Sequence, residues 1–290
     1  MKIKKLGGTR MSKRTRRINL EKLIKEGRGQ GHGSDYKPWI TIQDVPSLGR
    51  VSRIRGIKTN RQHEFLSDLE RNYFYFLEYS DNVVDIREQF PLLPLEETQY
   101  IANSLGLHHP SIKENNEDIV MTTDFLITLK RPDDSTYDIA RTIKPKDSLT
   151  DKRVIEKFEI ERVYWKNQQI DWAIVTDKEI DKTIAHNILF FHSYYDISCI
   201  DSLRNIDNNY LLDLIFEYIK RIIDCKKSIR YYSSQFDKDM CLETGTGLSI
   251  FKHLLARKKI RIDLSIPFNP DNITSVILVE EKNLKEVDII

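Results

Sequence analysis

Four side chains carry the chemistry that this sequence offers: Glu70, Asp124, Lys144 and Glu161. Two alternating segments, Met121–Lys130 and Tyr137–Lys144, are joined by Arg131–Thr136, where Pro132 followed by Asp133 and Asp134 is good turn chemistry. The pattern predicts a β-hairpin. Alternate residues of a strand share a face, so Asp138, Ala140, Thr142 and Lys144 point one way. Pairing about a turn centred near residues 133–134 sets Asp124 opposite roughly Thr142–Lys144. A carboxylate and an ammonium group then meet across neighbouring strands, at the end away from the turn. Such a pair can work on a phosphodiester. The carboxylate binds a divalent cation, while the lysine holds or activates the attacking water and offsets charge on the phosphorane. The plainer alternative is a cross-strand ion pair on a solvated sheet, contributing up to about 1 kcal/mol.

Two further acids weigh against the plainer alternative. Glu70 falls on the apolar stripe of a helix expected over Arg61–Tyr79, with Leu66, Tyr73 and Phe74. Glu161 falls on the stripe Val154, Phe158, Trp165 of a helix that starts at Ser148–Asp151 and runs to about Lys166. An isolated ionised carboxylate is costly to bury, so each inward acid calls for a partner such as a cation. The order helix, hairpin, helix brings all four residues into one cluster that oxygen-ligated cations would explain.

Other elements must position that cluster. A short helix is expected at Leu20–Glu26, a loop at Gly27–Gly33, a strand at Trp39–Val45 and a turn at Pro46–Gly49. Asn82–Pro91 reads as a strand, residues 94–118 as irregular, and Gln169–Thr176 as a buried strand. Beyond Asp177–Asp181 the pattern is mostly helical: Glu179–Tyr194, Tyr210–Asp224 and a basic helix after Gly245-Thr246-Gly247. A short strand follows at Ile260–Ile266. Helices followed by a basic helix and a strand predict a helix-turn-helix or winged-helix module. The expected fold is therefore α/β, in two parts divided at residues 178/179.

Charge points to an anionic partner. Residues 1–61 hold 17 Lys and Arg against 4 Asp and Glu, although the whole 290-residue chain carries a net charge of only +2. The first 20 residues read as a basic arm, and Arg50, Arg53, Arg55, Lys58 and Arg61 follow at near-regular spacing. Nucleic acid is the commonest partner of such segments, and those five residues are expected on phosphates. No run approaches the ~18 apolar residues of a membrane span, so no membrane partner is expected. Three widely spaced cysteines give no disulfide framework and no CxxC zinc site, which points to a reducing, cytoplasmic setting. His108-His109 lacks a nearby third metal ligand, and Gly245-Thr246-Gly247 is not a phosphate loop.

Several segments together resemble TnsA, the endonuclease subunit of heteromeric transposases. They are GRGQGHGSDYKPW (Gly27–Trp39), VPSLGRVSRIRGIKTNRQHEFLSDLE (Val45–Glu70), LSDLERNYFYFLEYSDNVVDIREQFPL (Leu66–Leu92), TTDFLI (Thr122–Ile127) and KFEIERVYW (Lys157–Trp165). The resemblance spans most of residues 20–290. It implies a restriction-endonuclease-like mixed sheet flanked by helices, followed by a mostly helical winged-helix-like domain for partner interaction. It implies Mg²⁺, with Mn²⁺ as a substitute, and cleavage of the 5′ strands of double-stranded DNA at transposon ends. The implied partners are a TnsB-like transposase and a TnsC-like ATPase regulator, in the cytoplasm of a bacterium at its nucleoid. Carried over residue by residue, Glu70 becomes the helix carboxylate, Asp124 the central metal ligand, Lys144 the catalytic lysine and Glu161 a further active-site acid. Restriction-type sites place Asp or Glu two residues before the lysine, and TnsA has Gln there; this chain has Thr142. The Thr142 hydroxyl and the Ile143 carbonyl complete the implied metal set. Two rivals follow: a catalytically weak DNA-binding bridge between the TnsB-like and TnsC-like partners, which Thr142 favours, and a stand-alone restriction-type nuclease.

Overall fold

The computed structural model describes residues 20–44, 50–112, 116–223 and 226–279. The basic arm through residue 19 and the turn expected at Pro46–Gly49 lie outside the described residues. The central layer is a four-stranded mixed sheet in the order β3-β4-β5-β6. Its strands are β3 (Val83–Pro91), β4 (Thr122–Lys130), β5 (Thr136–Ile143) and β6 (Asp171–Val175). The β4–β5 hairpin forms as the turn chemistry dictates, with Phe125 opposite Arg141 as the last ladder pair before the site. β6 pairs parallel to β5, because the chain returns through helix α4 (Lys152–Asn167). Asp151 starts α4 by accepting from the N–H groups of Arg153 and Val154, at 2.7 and 3.3 Å.

On the other side lies α2 (Asp68–Tyr79). The helix expected from Arg61 starts seven residues later, since Ser67 is its N-cap and Gln62–Phe65 form strand β2. β2 pairs with β1 (Ser52–Arg55) in a hairpin that the arginine spacing concealed. The strand expected at Trp39–Val45 is a series of bends and turns as far as Asp44. Residues 94–118, expected irregular, contain helix α3 (Leu95–Ser104).

β3 would be an exposed sheet edge, and the preceding chain covers it. Trp39 N–H donates to the Gln89 carbonyl at 3.1 Å, and Tyr36 Oη donates to the Glu88 carbonyl at 3.0 Å. Gly29 lies against the end of the strand at φ +73°; a Cβ there would stand 2.2 Å from Pro91 Cγ. The short helix α1 (Leu20–Lys25) leads into this cover.

The C-terminal part holds α5 (Lys182–His192), α6 (Asn208–Ile222), α7 (Ile229–Asp239), α8 (Thr246–Ala256) and a two-residue ladder, β7 (Ile260–Arg261) with β8 (Ile277–Leu278). Helix α7 adds to the expected helices, and the strand expected at Ile260–Ile266 is only two residues long. The expected basic helix, α8, is mostly buried and holds one Lys or Arg, Lys252, whose ammonium lies 4.3 Å from the Phe190 ring centroid. These elements do not make out a winged helix: among the described residues a single two-residue ladder stands where a wing would be. One apolar core crosses the expected 178/179 boundary, running from Phe65 and Phe74 through Ile188 and Phe191 to Ile250 and Phe251. A second core, around Leu126, Ile160 and Trp165, seals α4 onto the sheet. No helix among the described residues is long and apolar enough to cross a membrane.

Candidate active site

The β4–β5 ladder stops at Phe125/Arg141, and Asp124 fills the gap beyond it. Its Oδ2 accepts the N–H of Ile143 at 2.7 Å. On the other side of β5, Lys144 N–H donates to the Val175 carbonyl. In an extended strand the N–H and C=O of one residue leave on the same side. The Ile143 carbonyl therefore also faces the gap that holds Asp124. Asp124 Oδ1 accepts from Gln89 Nε2 at 3.3 Å, and Gln89 Oε1 in turn accepts from Thr122 Oγ1 at 3.2 Å. Gln89 is buried and holds φ +48° near the end of β3, a left-handed backbone that is costly for a non-glycine residue. Sequence reasoning missed this clamp. No periodicity marks a residue whose backbone turns against its strand.

Glu70 enters from the first turn of α2. It is buried, and its partner is partly its own helix start: Oε1 accepts from Ser67 Oγ at 2.7 Å and Oε2 from Leu66 N–H at 3.1 Å. The local cause is the Ser67-x-x-Glu70 capping box. Burial, and then the neighbouring Asp124 charge, push the Glu70 carboxyl upward, against those hydrogen bonds and the charge of Lys144. Burial likewise pushes Asp124 upward, against the Ile143 N–H, the Lys144 charge and the Gln89 amide. Two desolvated carboxyls, one of them raised further by the other's charge, and one lysine within electrostatic reach thus share one gap.

Glu161 is also brought in, but it is held apart from the pair. Its Oε1 accepts from Thr123 Oγ1 at 2.6 Å, from Trp172 Nε1 at 3.0 Å and from Thr142 Oγ1. Burial pushes its carboxyl up to about 7, with the Asp124 charge adding to the rise. Thr142 is correspondingly occupied. Its hydroxyl donates to Glu161 and accepts from Trp172 Nε1 at 3.0 Å. The expectation that Thr142 ligates a metal is thereby corrected: the hydroxyl faces the buried acid.

Among the described residues no group of three or more His, Cys, Asp and Glu is arranged to hold a metal ion. The donor set in the gap is smaller: the carboxylates of Glu70 and Asp124, and the Ile143 carbonyl. All are oxygens, and both acids are desolvated, so the set suits a hard divalent cation and no softer one.

Of the expected phosphate contacts, Arg50, Arg53 and Arg55 are exposed, and Lys58 is partly buried. Arg53 and Arg55 lie on the β1–β2 hairpin, Arg53 with its Nε 2.9 Å from Glu64 Oε1. Arg61 is corrected. It is buried, donates to both oxygens of Glu88 and to the Ile86 carbonyl, and has no face for DNA. Burial would raise Glu88, but the charge of His63 and the bonds from Arg61 and His63 hold it down at about 2. His109 is structural, with its ring nitrogens on the Pro110 carbonyl and Thr98 Oγ1. A cavity of about 820 Å³ lies between the β1–β2 hairpin and α5 and α8, away from the carboxylates.

A mixed sheet flanked by helices, with two carboxyls and a lysine converging on one splayed strand end, defines a nuclease fold of the TnsA-like kind. The chain belongs to the TnsA family of transposition endonucleases. Residues 80–177 match the TnsA-like endonuclease N-terminal family model, and residues 179–264 match the TnsA endonuclease C-terminal one. The chain is also 39% identical to the transposon Tn7 transposition protein TnsA of Escherichia coli over 272 residues, covering 93% of this chain and 94% of that protein.

Proposed function

We propose that the protein cuts the 5′ strands of double-stranded DNA at transposon ends, in a Mg²⁺-dependent hydrolysis, alongside a TnsB-like transposase and under a TnsC-like ATPase regulator. The observation that carries this reading is Asp124 in the splayed end of the hairpin, bonded to the Ile143 N–H and facing Glu70. Glu70, Asp124 and the Ile143 carbonyl would hold the cation, with Mn²⁺ as a substitute. Bound there, the ion supplies Lewis-acid stabilisation of the phosphorane and a water of lowered pKa.

The chain's own residues do the rest. Gln89 and the Ile143 N–H fix the two oxygens of Asp124, so the carboxylate meets the substrate in one orientation. The Lys144 ammonium makes no hydrogen bond among the described residues, which leaves it to orient water and to offset charge on the phosphorane. Glu161 supports the site through Thr142, one residue before Ile143, rather than as a ligand. The exposed arginines of the β1–β2 hairpin would hold neighbouring phosphates.

The test is Asp124→Ala in the assembled transposase. The variant should still assemble with its partners and bind DNA, and 5′-strand nicking should disappear while 3′-strand chemistry by the partner continues. Nicking that survives with assembly intact refutes the assignment.

A further inference from the structure

Helix α4 runs back along β5, because the β5–α4–β6 crossover must return the chain to a parallel strand. The Thr142–Glu161 hydrogen bond pins the helix over the strand. From that pin the strand advances two residues, about 6.6 Å, to Lys144. The helix retreats four residues, about 6 Å and one turn, to Lys157 on the same face. Lys157 thus stands to Lys144 as Glu161 stands to Thr142.

The surroundings agree with this register. The charges that act on Lys157 are those of Arg153, Lys144 and Asp151. Burial, then Arg153, then Lys144 lower its pKa. Arg153, one turn further along the same face, is already occupied by Glu156 and by the carbonyls of His108 and His109. Lys157 is partly desolvated yet still reaches solvent, and neither its ammonium nor that of Lys144 makes a side-chain hydrogen bond among the described residues. Two neighbouring ammonium groups with no acid bonded to either repel each other, and an anion between them turns that cost into attraction.

We propose that Lys157 and Lys144 form a two-lysine cradle for the phosphodiester backbone of DNA, Lys144 at the reacting phosphate and Lys157 at an adjoining one. Lys157 is a binding residue here, not a catalytic one. The cradle rests on the reading of this site as a DNA-cutting one, and it adds a contact from α4 to those of the β1–β2 hairpin.

Binding of the full chain to a duplex DNA oligonucleotide, in EDTA so that nothing is cut, tests it over a series of KCl concentrations. Each phosphate contact contributes about 0.9 to the slope of log Kobs against log[salt]. Lys157→Gln should shallow the slope by about 0.9, Lys157→Arg should keep it, and Lys144→Gln/Lys157→Gln should lose about 1.8. Thermal midpoints should stay with the parent. An unchanged slope in Lys157→Gln overturns the cradle, as does an arginine variant that behaves like the glutamine one. The binding assay requires no cleavage. If the slopes change as stated and the assembled complex still never nicks DNA, the endonuclease reading falls and the binding contact stands.

Discussion

Glu161→Gln isolates the cost of keeping an acid at the centre of this site. The parent carboxyl rises from an ordinary 4.5 to about 7 because it is buried, against three hydrogen bonds that all fall on Oε1. A carboxyl raised in the folded state binds its proton more tightly folded than unfolded. Its contribution to stability is therefore fully present below about pH 4.5 and is lost as pH rises through 7. At 1.36 kcal/mol per unit, the loss across that window comes to about 3 kcal/mol. Glutamine cannot ionise, and its amide oxygen can accept from Thr123, Thr142 and Trp172 as Oε1 does. Any fixed cost of the new NH₂ is independent of pH. The stability difference, variant minus parent, should therefore grow by roughly 2–3 kcal/mol between pH 5 and pH 8. At roughly 2 °C per kcal/mol for a chain of this size, that is a relative gain of about 5 °C in Tm. Thermal unfolding followed by circular dichroism in EDTA, at pH 5, 6, 7 and 8, reads it directly. Glu70 and Asp124 titrate in both proteins, and the part of the Asp124 charge felt at Glu161 is already contained in the Glu161 rise. A difference that is flat across this range, or that shrinks as pH rises, would refute the reasoning.

Four further outcomes follow from the same geometry. Gln89→Ala frees one oxygen of Asp124, so the Mg²⁺ concentration for half-maximal nicking should rise several-fold, read by a metal titration of the assembled complex. Thr142→Asp sets a second carboxylate against buried Glu161, so its Tm should fall further below the parent's at pH 8 than at pH 5, and its nicking should not improve. Arg61→Ala leaves Glu88 short of its main partner and should cost about 3–5 kcal/mol in urea unfolding. Arg53→Ala should stay within about 0.5 kcal/mol of the parent yet shallow the salt dependence of DNA binding.

The sheet and its chemistry were largely legible in the sequence because they rest on short-range rules. Pro132-Asp133-Asp134 fixes the hairpin turn, and the turn fixes the register that sets Asp124 against Thr142 and Ile143. The inward acids were visible as breaks in apolar stripes. What the stripes could not show was each acid's partner. Glu70 bonds its own cap, and Glu161 bonds two threonines and a tryptophan from three other segments. Arg61 looked like its neighbours because spacing does not register burial, and only the fold brings Glu88 under it. The periodicity over Arg61–Leu66 was misread because a four-residue strand and the helix after it share one run of apolar residues. The helix at Leu95–Ser104 escaped notice because its sequence, LEETQYIANS, is mostly polar and buries only Thr98, Ile101 and Ala102.

Gly29 is bound by two separate constraints, and they have a genetic consequence. Its left-handed backbone excludes most side chains, and Pro91 occupies the space that any Cβ would take. A smaller residue at 91 restores the room but not the dihedral, and an asparagine at 29 eases the dihedral but not the clash. Neither change rescues the other's loss alone, so the two positions are epistatic. In a saturation library of the parent, position 29 reads as intolerant, and a second-site change to a smaller residue at 91 suppresses an asparagine at 29 better than it suppresses any β-branched residue there.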